Sequence, residues 1–269
     1  MEVTELFKDA LTYPTKDWNK LLIFGVFFLL TGIVDILGNF GFAVNQLGGA
    51  ITLSVFGLIS LIITLFINGF GLSITRETIN QQENIPEFEW VKNLIDGIKL
   101  LVLNIVYFII PVIVTIIVAF ATGAINHLVK IGNYAISQGV TNITPTTIPQ
   151  SMIVESAASF FIVFLIAAIL FIIFGLLLLI ANAKLADTDS LVEACNMIEV
   201  FNKIGEIGWA NFIIWIIVFV IISFVIGFIG GLIGIIPFVG LLIVLLVVYP
   251  FIKMFGSRAL GLIYNESKN

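Results

Sequence analysis

The chain has 269 residues, of which 60% are hydrophobic and 11% are charged, and its net charge is −5. Soluble domains carry about a quarter charged residues, so this composition excludes a soluble domain and predicts an integral membrane protein. A single Cys and a single His exclude an internal disulfide and a histidine-cluster metal site. The acidic balance, without a polybasic block, argues against nucleic acid as a partner.

The N-terminal segment predicts a short amphipathic helix, followed by two membrane spans. The apolar residues on one face of this helix are Val3, Leu6, Phe7, Ala10 and Leu11. The helix should end at Tyr13-Pro14, because the residue before a proline disfavours helical angles. Span 1 is predicted at about Leu21 to Phe42 and span 2 at about Ala50 to Leu72, joined by an uncharged connection, Gly38 to Gly49.

The stretch Pro86 to Leu103 predicts an amphipathic helix that continues without a break into span 3, about Leu100 to Ala121. Its apolar face is formed by Phe88, Val91, Leu94, Ile95 and Ile98. Its polar face is formed by Glu89, Lys92, Asn93, Asp96 and Lys99. We expect the apolar face to be buried against lipid or the other spans and the polar face to be exposed. Pro111 predicts a kink inside span 3.

The second half of the chain predicts an outer loop, a third amphipathic helix and three more spans. The outer loop covers residues 122–156 and should contain a short amphipathic helix. The third amphipathic helix, Asp187 to Glu206, begins with a capping box at Ser190. The residues of its apolar face are Leu191, Ala194, Cys195, Ile198 and Phe201. Spans 4, 5 and 6 are predicted at about Ala157 to Ala181, Ala210 to Ile233 and Phe238 to Met254.

The distribution of basic residues predicts the orientation. With six spans, every Lys and Arg except Lys130 lies on the same side of the membrane. The positive-inside rule places that side in the cytoplasm. We therefore expect a multi-pass protein of the cell membrane with both termini cytoplasmic.

The predicted elements recur three times, within a single membrane domain of residues 1–269. The units are 1–80, 81–186 and 187–264, and each has a cytosolic amphipathic helix, a Trp, a two-span hairpin and a closing basic residue. The tryptophans, expected to be interface anchors, are Trp18, Trp90 and Trp209, and the closing basic residues are Arg76, Lys184 and Arg258. The alternative is that basic residues at returning helix ends occur in any protein with an even number of spans.

A few polar residues inside the spans are candidates for a solute pathway. Asp35 is the one acid within a predicted span, so it is either a cation or proton site or a carboxylate that reaches the outer interface. Asn68, Asn104 and Tyr107 would line the same pathway, although hydrogen bonds between helices are the ordinary use of such residues. No motif indicates a catalytic site, a cofactor or a metal site, so we expect a protein that is not an enzyme.

Two further motifs concern contacts and modification. Overlapping GxxxG patterns from Gly227 to Gly234 favour close helix packing within the chain, with homo-oligomer formation as the alternative. Asn142-Ile-Thr144 is an N-glycosylation sequon on the predicted outer side, weakened by the proline that follows it. Membrane lipid is the expected partner, together with a second copy or other membrane proteins.

Four stretches resemble one known family. They are FKDALTYPTKDWNKLLIFG at the N-terminus, PEFEWVKNLIDGIKLL before span 3, FNKIGEIGWANFIIW before span 5 and SRALGLIYNES at the C-terminus. They are similar to the domain of unknown function 4013 family, polytopic membrane proteins found mainly in archaea. The resemblance implies the fold and the membrane location, and it implies no activity.

The leading hypothesis is a non-enzymatic membrane protein that organises lipid or partner proteins, because three amphipathic helices are combined with an absence of catalytic motifs. The alternative is a small-solute or ion transporter or channel, which the repeat, the Pro111 kink and the polar residues inside the spans support. A core filled with Phe and Ile favours the first hypothesis, and a water-filled cavity that reaches Asp35 favours the second.

Overall fold

The computed structural model describes residues 3–44, 46–139, 144 and 147–268, and the side chains of these residues except 35–53. The regular structure in this part of the chain is helical, so the predicted all-α class is confirmed. The α-helices are α1 Val3–Thr12, α2 Trp18–Val44, α3 Gln46–Ile79, α4 Trp90–Ala121, α5 Ala124–Ser137, α6 Gln150–Thr188, α7 Leu191–Ala194, α8 Met197–Ile207, α9 Trp209–Gly234, α10 Val239–Ile243 and α11 Tyr249–Asn265. A π-helical segment, Val244–Val248, joins α10 to α11.

Within the described residues, five helical segments are long and apolar enough to cross a membrane. The number is six if the N-terminal pair of helical segments, bent by 84° between Lys16 and Trp18, counts as one broken span. The predicted spans fall within α2, α3, α4, α6, α9 and the α10–α11 rod, so the prediction of several membrane-spanning helices is confirmed.

Two predicted helix boundaries are wrong. The connection predicted at Gly38 to Gly49 is helical up to Val44 and again from Gln46, because this uncharged, proline-free stretch has no strong stop signal. The helix predicted for the stretch Pro86 to Leu103 begins at Trp90 instead.

The third amphipathic helix is two helices rather than one. Ser190 caps α7 as predicted, with its Oγ accepting a hydrogen bond from the backbone N–H of Glu193 at 3.4 Å. The helix then ends, and Asn196 caps α8 by accepting from the backbone N–H of Glu199 at 3.3 Å. Asn is a favoured N-cap residue because its side-chain oxygen accepts from a backbone N–H that has no partner within the helix. Asn196 therefore starts a second helix and divides the predicted one.

The chain divides into two compact units. The first contains Met1–Leu103 and Leu179–Asn269, and the second contains Asn104–Leu178. In the second unit, Phe108 stacks on Phe171 with ring centroids 5.5 Å apart, and Ser159 donates a hydrogen bond to the carbonyl of Thr122 at 2.9 Å. These contacts join α4 to α6.

Aromatic side chains fill much of the interior of the first unit. Phe24 of α2 lies 4.7 Å from Phe70 of α3, and Phe70 lies 4.4 Å from Phe88, measured between ring centroids. The buried residues of this cluster are Tyr13, Leu21, Phe24, Ile67, Phe70, Ile74, Ile85 and Met254. Aromatic pairs add about 0.5–1.5 kcal/mol each beyond the area they bury, so this cluster contributes to the stability of the unit.

Helices α3 and α4 cross with their backbones in contact. A Cβ at Gly69 would lie 1.7 Å from the carbonyl oxygen of Asn93, and a Cβ at Gly97 would lie 1.9 Å from that of Leu65. Only glycine allows two helices to approach so closely. In the GxxxG region, Gly230 packs against the side chain of Val248, so this glycine serves contact within the chain.

Candidate functional site

At the start of α4, two polar side chains face the protein and two apolar side chains are exposed. Asn93 and Asp96 are buried, with 0% and 2% of their surface exposed, whereas Val91 and Ile95 are 73% and 48% exposed. The prediction that the polar face is exposed is therefore wrong at Asn93 and Asp96, whereas Glu89 and Lys92 are exposed as predicted. Asn93 and Asp96 face inward because they have polar partners on α3, Ser73 and Arg76.

The buried carboxylate of Asp96 belongs to a network of charges. Arg76 Nη1 lies 2.8 Å from Asp96 Oδ2, and Arg76 Nη2 lies 3.2 Å from Asp189 Oδ1. Lys99 Nζ lies 2.8 Å from the same oxygen of Asp189. The hydrogen bond from Lys99 lowers the pKa of the Asp189 carboxyl below its ordinary value, and the charges of Lys99 and Arg76 act in the same direction. Two cations thus share two carboxylates where α3, α4 and the end of α6 meet.

Each of the three predicted closing basic residues pairs with an acid. Arg76 pairs with Asp96, Lys184 with Glu199, and Arg258 with Asp9. In the first two pairs the acid belongs to the next predicted unit along the chain. In the third pair, the basic residue of the third unit contacts an acid of the first unit. Asp9 and Glu199 lie before the Trp that opens their unit's spanning helix, while Asp96 lies after Trp90.

Two amphipathic helices pack on the same unit in different ways. Helix α1 buries Leu6, Phe7 and Ala10, as the sequence predicts. The buried residues of α8 are Val200, Ile204 and Ile207. Ile198 and Phe201 of the predicted apolar face are 75% and 52% exposed and do not pack on the protein. Helix α8 carries apolar residues on two sides, and periodicity alone does not show which side contacts the protein.

Four apolar residues between the start of α7 and the start of α9 are exposed. We call them together the α8 apolar surface, and they are Val192, Ile198, Phe201 and Trp209. The rings of Phe201 and Trp209 are in contact, with centroids 5.1 Å apart. Such a group next to the start of a membrane-spanning helix has the chemistry of a lipid-facing or partner-facing surface.

Lys253 is a charged residue inside an apolar helical rod, and its Nζ donates a hydrogen bond to Asn68 Oδ1 of α3 at 2.7 Å. Among the described residues it makes no ion pair. The basic-residue pattern of the sequence places Lys253 with the cytosolic residues and does not indicate a site there. Its position within the predicted span Phe238 to Met254 is the signal that could have identified it.

Comparison with known proteins identifies the family. Residues 52–235 match the family described as "Protein of unknown function (DUF4013)", which covers more than half of the chain. The chain belongs to the DUF4013 family. Neither the curated proteins nor the solved structures contain a match. Because the role of DUF4013 proteins is unknown, the functional argument must come from the arrangement of the side chains.

The structure places the residues predicted for this DUF4013 protein as follows. Asn68 is the partner of Lys253, whereas Asn104 and Tyr107 lie on α4 in the second unit, where Tyr107 is fully buried. The side chain of Asp35 and the whole of Asn142 lie outside the described residues. The three predicted interface anchors Trp18, Trp90 and Trp209 each open a long helix and are exposed.

Proposed function

We propose that this DUF4013 protein is a non-enzymatic, multi-pass protein of the cell membrane, with both termini in the cytoplasm, that organises lipid or partner proteins. The observation that carries the proposal is the α8 apolar surface. Ile198 and Phe201 point away from the protein although α8 is already packed through Val200, Ile204 and Ile207. Burying one such side chain contributes about 1.5–3 kcal/mol, so water is not the environment for which this surface is built.

The charges around α8 indicate how it is held at the membrane. Lys203 is paired with Glu206 at 2.8 Å, and Lys184 is paired with Glu199. These cations are already neutralised by acids and offer little attraction to anionic headgroups. Burial of the apolar side chains must therefore supply the contact with lipid or with a partner protein.

The ion pairs also support the proposed three-unit repeat. A cyclic pattern, in which the closing basic residue of one unit contacts an acid of the next, is expected when a hairpin unit has been triplicated. The pair Arg258–Asp9 closes this cycle across most of the chain. The aromatic core described above supports the organising role over a water-filled pathway, since the interior around Phe24 and Phe70 is occupied by side chains.

Spin labelling tests the membrane contact of α8. In a Cys195→Ser background, nitroxide labels at Ile198→Cys and Phe201→Cys should be accessible to oxygen and protected from a water-soluble nickel chelate in liposomes. A label at the exposed polar position Glu206→Cys, on another side of the helix, is the matched control and should show the opposite preference. Equal chelate access at Ile198 and Glu206 would contradict lipid contact, and protection of the Ile198 label from both oxygen and the chelate would indicate a protein partner.

A transporter or channel is the second candidate, and the contact between Lys253 and Asn68 inside the spans favours it. A proton and sodium flux assay in liposomes separates the two functions. The organising role predicts no flux above that of empty liposomes. A wild-type flux that disappears in Lys253→Met or Asp35→Asn would establish the transporter instead.

A further inference from the structure

A cavity of about 280 Å³ lies beside Lys253 in the first unit, between the end of α6, the start of α9 and α11. Its polar lining consists of Asn182, Trp215, Lys253 and Ser257, and its apolar lining includes Leu179 and Phe219. Trp215 lies six residues after Trp209, or roughly 9 Å along the helix at 1.5 Å per residue. The cavity is therefore between one and two helical turns inside the end of the span that Trp209 opens.

Two residues that line this cavity each carry a buried polar atom that has no partner among the described residues. Trp215 is 1% exposed, and its Nε1–H has no acceptor. Asn182 Oδ1 is buried and has no donor. Buried polar groups are almost always hydrogen-bonded, so the pair indicates a ligand with both an acceptor and a donor.

The ring of Trp215 is held in place, which makes its N–H a fixed donor. It is stacked on Phe219 and Phe212, with centroids 5.3 and 6.1 Å away. Lys253 adds the charge. Its ammonium group has three donors, and Asn68 accepts one of them, so donors remain for an anion.

We propose that the cavity binds the headgroup of an anionic lipid that carries both a phosphate and a hydroxyl, of the phosphatidylglycerol type. The phosphate oxygens accept hydrogen bonds from Lys253 and from Trp215 Nε1. The hydroxyl donates to Asn182 Oδ1, which a headgroup without a donor leaves unpaired. The apolar lining residues Leu179 and Phe219 suit the acyl chains next to the headgroup. Basic pockets between spans on the cytoplasmic side are suited to such anionic headgroups.

Native mass spectrometry of the full-length protein in neutral detergent tests the site. Dioleoyl phosphatidylglycerol should bind at least about tenfold more tightly than dioleoyl phosphatidylcholine, and Lys253→Met should remove most of this preference. Trp215→Phe keeps the ring stack, removes the N–H and should weaken binding by about threefold or more. Lys92→Met, at an exposed lysine outside the cavity, is the matched control and should bind like the wild type.

Two further measurements define the ligand. Asn182→Leu should abolish the preference for phosphatidylglycerol over phosphatidylmethanol, which has the same charge and no hydroxyl, while leaving phosphatidylmethanol binding unchanged. Glycerol phosphate in solution should compete weakly, and binding tighter than that of the lipid would assign the site to a soluble phosphate and overturn the proposal. Equal binding of phosphatidylglycerol and phosphatidylmethanol by the wild type would also overturn the proposal. The cavity and the α8 apolar surface share no residue, so this experiment and the spin-label test fail independently.

Discussion

Arg258 of α11 forms a two-point ion pair with Asp9 of α1, although the two residues are 249 positions apart in the chain. Its Nε and Nη2 lie 2.9 and 3.0 Å from the two carboxylate oxygens. Its Nη1 donates to the backbone carbonyl of Gln82 at 2.7 Å, and its guanidinium lies 4.9 Å from the centre of the Tyr13 ring. One buried side chain thus joins both ends of the chain to the connection between α3 and α4.

Replacing Arg258 should destabilise the protein strongly. Arg258→Met leaves the carbonyl of Gln82 and the carboxylate of Asp9 without their partner, and breaking a buried ion pair costs about 3–5 kcal/mol. Arg258→Lys should recover only part of this, because an ammonium group cannot form the two-point contact. The measurement is reversible unfolding in detergent micelles followed by circular dichroism.

The control for Arg258 is Lys16→Met. Lys16 lies 4.0 Å from Glu83, and both side chains are exposed, so the loss should be about 1 kcal/mol or less. Equal losses for Arg258→Met and Lys16→Met would show that the contact between Arg258 and Asp9 contributes little to the stability.

Asp96→Leu tests the inward position of Asp96 on α4. The change leaves the guanidinium of Arg76 with the exposed Asp189 alone and should lower the free energy of unfolding by about 3 kcal/mol. Ile95→Leu, at the preceding position and facing outward, should change the free energy of unfolding by less than about 0.5 kcal/mol. A harmless Asp96→Leu together with a damaging Ile95→Leu would show that the side of Ile95, and not that of Asp96, packs against the protein.

The sequence predicted the fold class and the spans because lipid imposes long apolar helices, and these are visible as long apolar runs. It also predicted helix α1, whose apolar residues follow a helical period and whose end is set by Tyr13-Pro14. These features depend on local properties of the chain, and no knowledge of the neighbours is needed to recognise them.

Features that depend on neighbours were not predictable in the same way. The side of α4 that packs inward is decided by Gly69 and Gly97, which allow α3 to approach, and by Arg76, which pairs with Asp96. The cavity beside Lys253 combines residues from α6, α9 and α11 that are far apart in the sequence. Composition and periodicity contain no information about these contacts between distant residues, because tertiary packing creates them.

Gly69→Ala should destabilise the crossing of α3 and α4. The new Cβ would lie 1.7 Å from a backbone oxygen of Asn93, which cannot move without displacing α4, so a loss of about 1–3 kcal/mol is expected. Gly57→Ala in the same helix is the matched control, since a Cβ there meets nothing within 4 Å. Thermal unfolding of both variants checks the difference, and a neutral Gly69→Ala would contradict the close approach.

The proposed orientation can be tested by cysteine labelling in intact cells. In a Cys195→Ser background, Gln138→Cys at the end of α5 should react with a membrane-impermeant maleimide, because that region is predicted to be outside. Glu83→Cys, in the exposed connection between α3 and α4, should react only after the cells are permeabilised. The reverse pattern would place both termini outside.

Asp189→Asn should make the stability of the protein less dependent on pH. The hydrogen bond from Lys99, with the charges of Lys99, Arg76 and Lys92, lowers the pKa of the Asp189 carboxyl from its ordinary value of 3.8. A carboxyl with a lowered folded-state pKa stabilises the fold fully above its unfolded pKa and loses this contribution as the pH falls through the folded value.

Asn keeps the left-handed backbone at this position, where φ is 55°, because Asn adopts that conformation more readily than most residues. The variant should therefore unfold at a lower temperature than the wild type at pH 7, and the two melting curves should converge as the pH is lowered below about 3.8. A difference in melting temperature that stays constant from pH 7 to pH 3 would show that the carboxylate charge is not what Lys99 and Arg76 require.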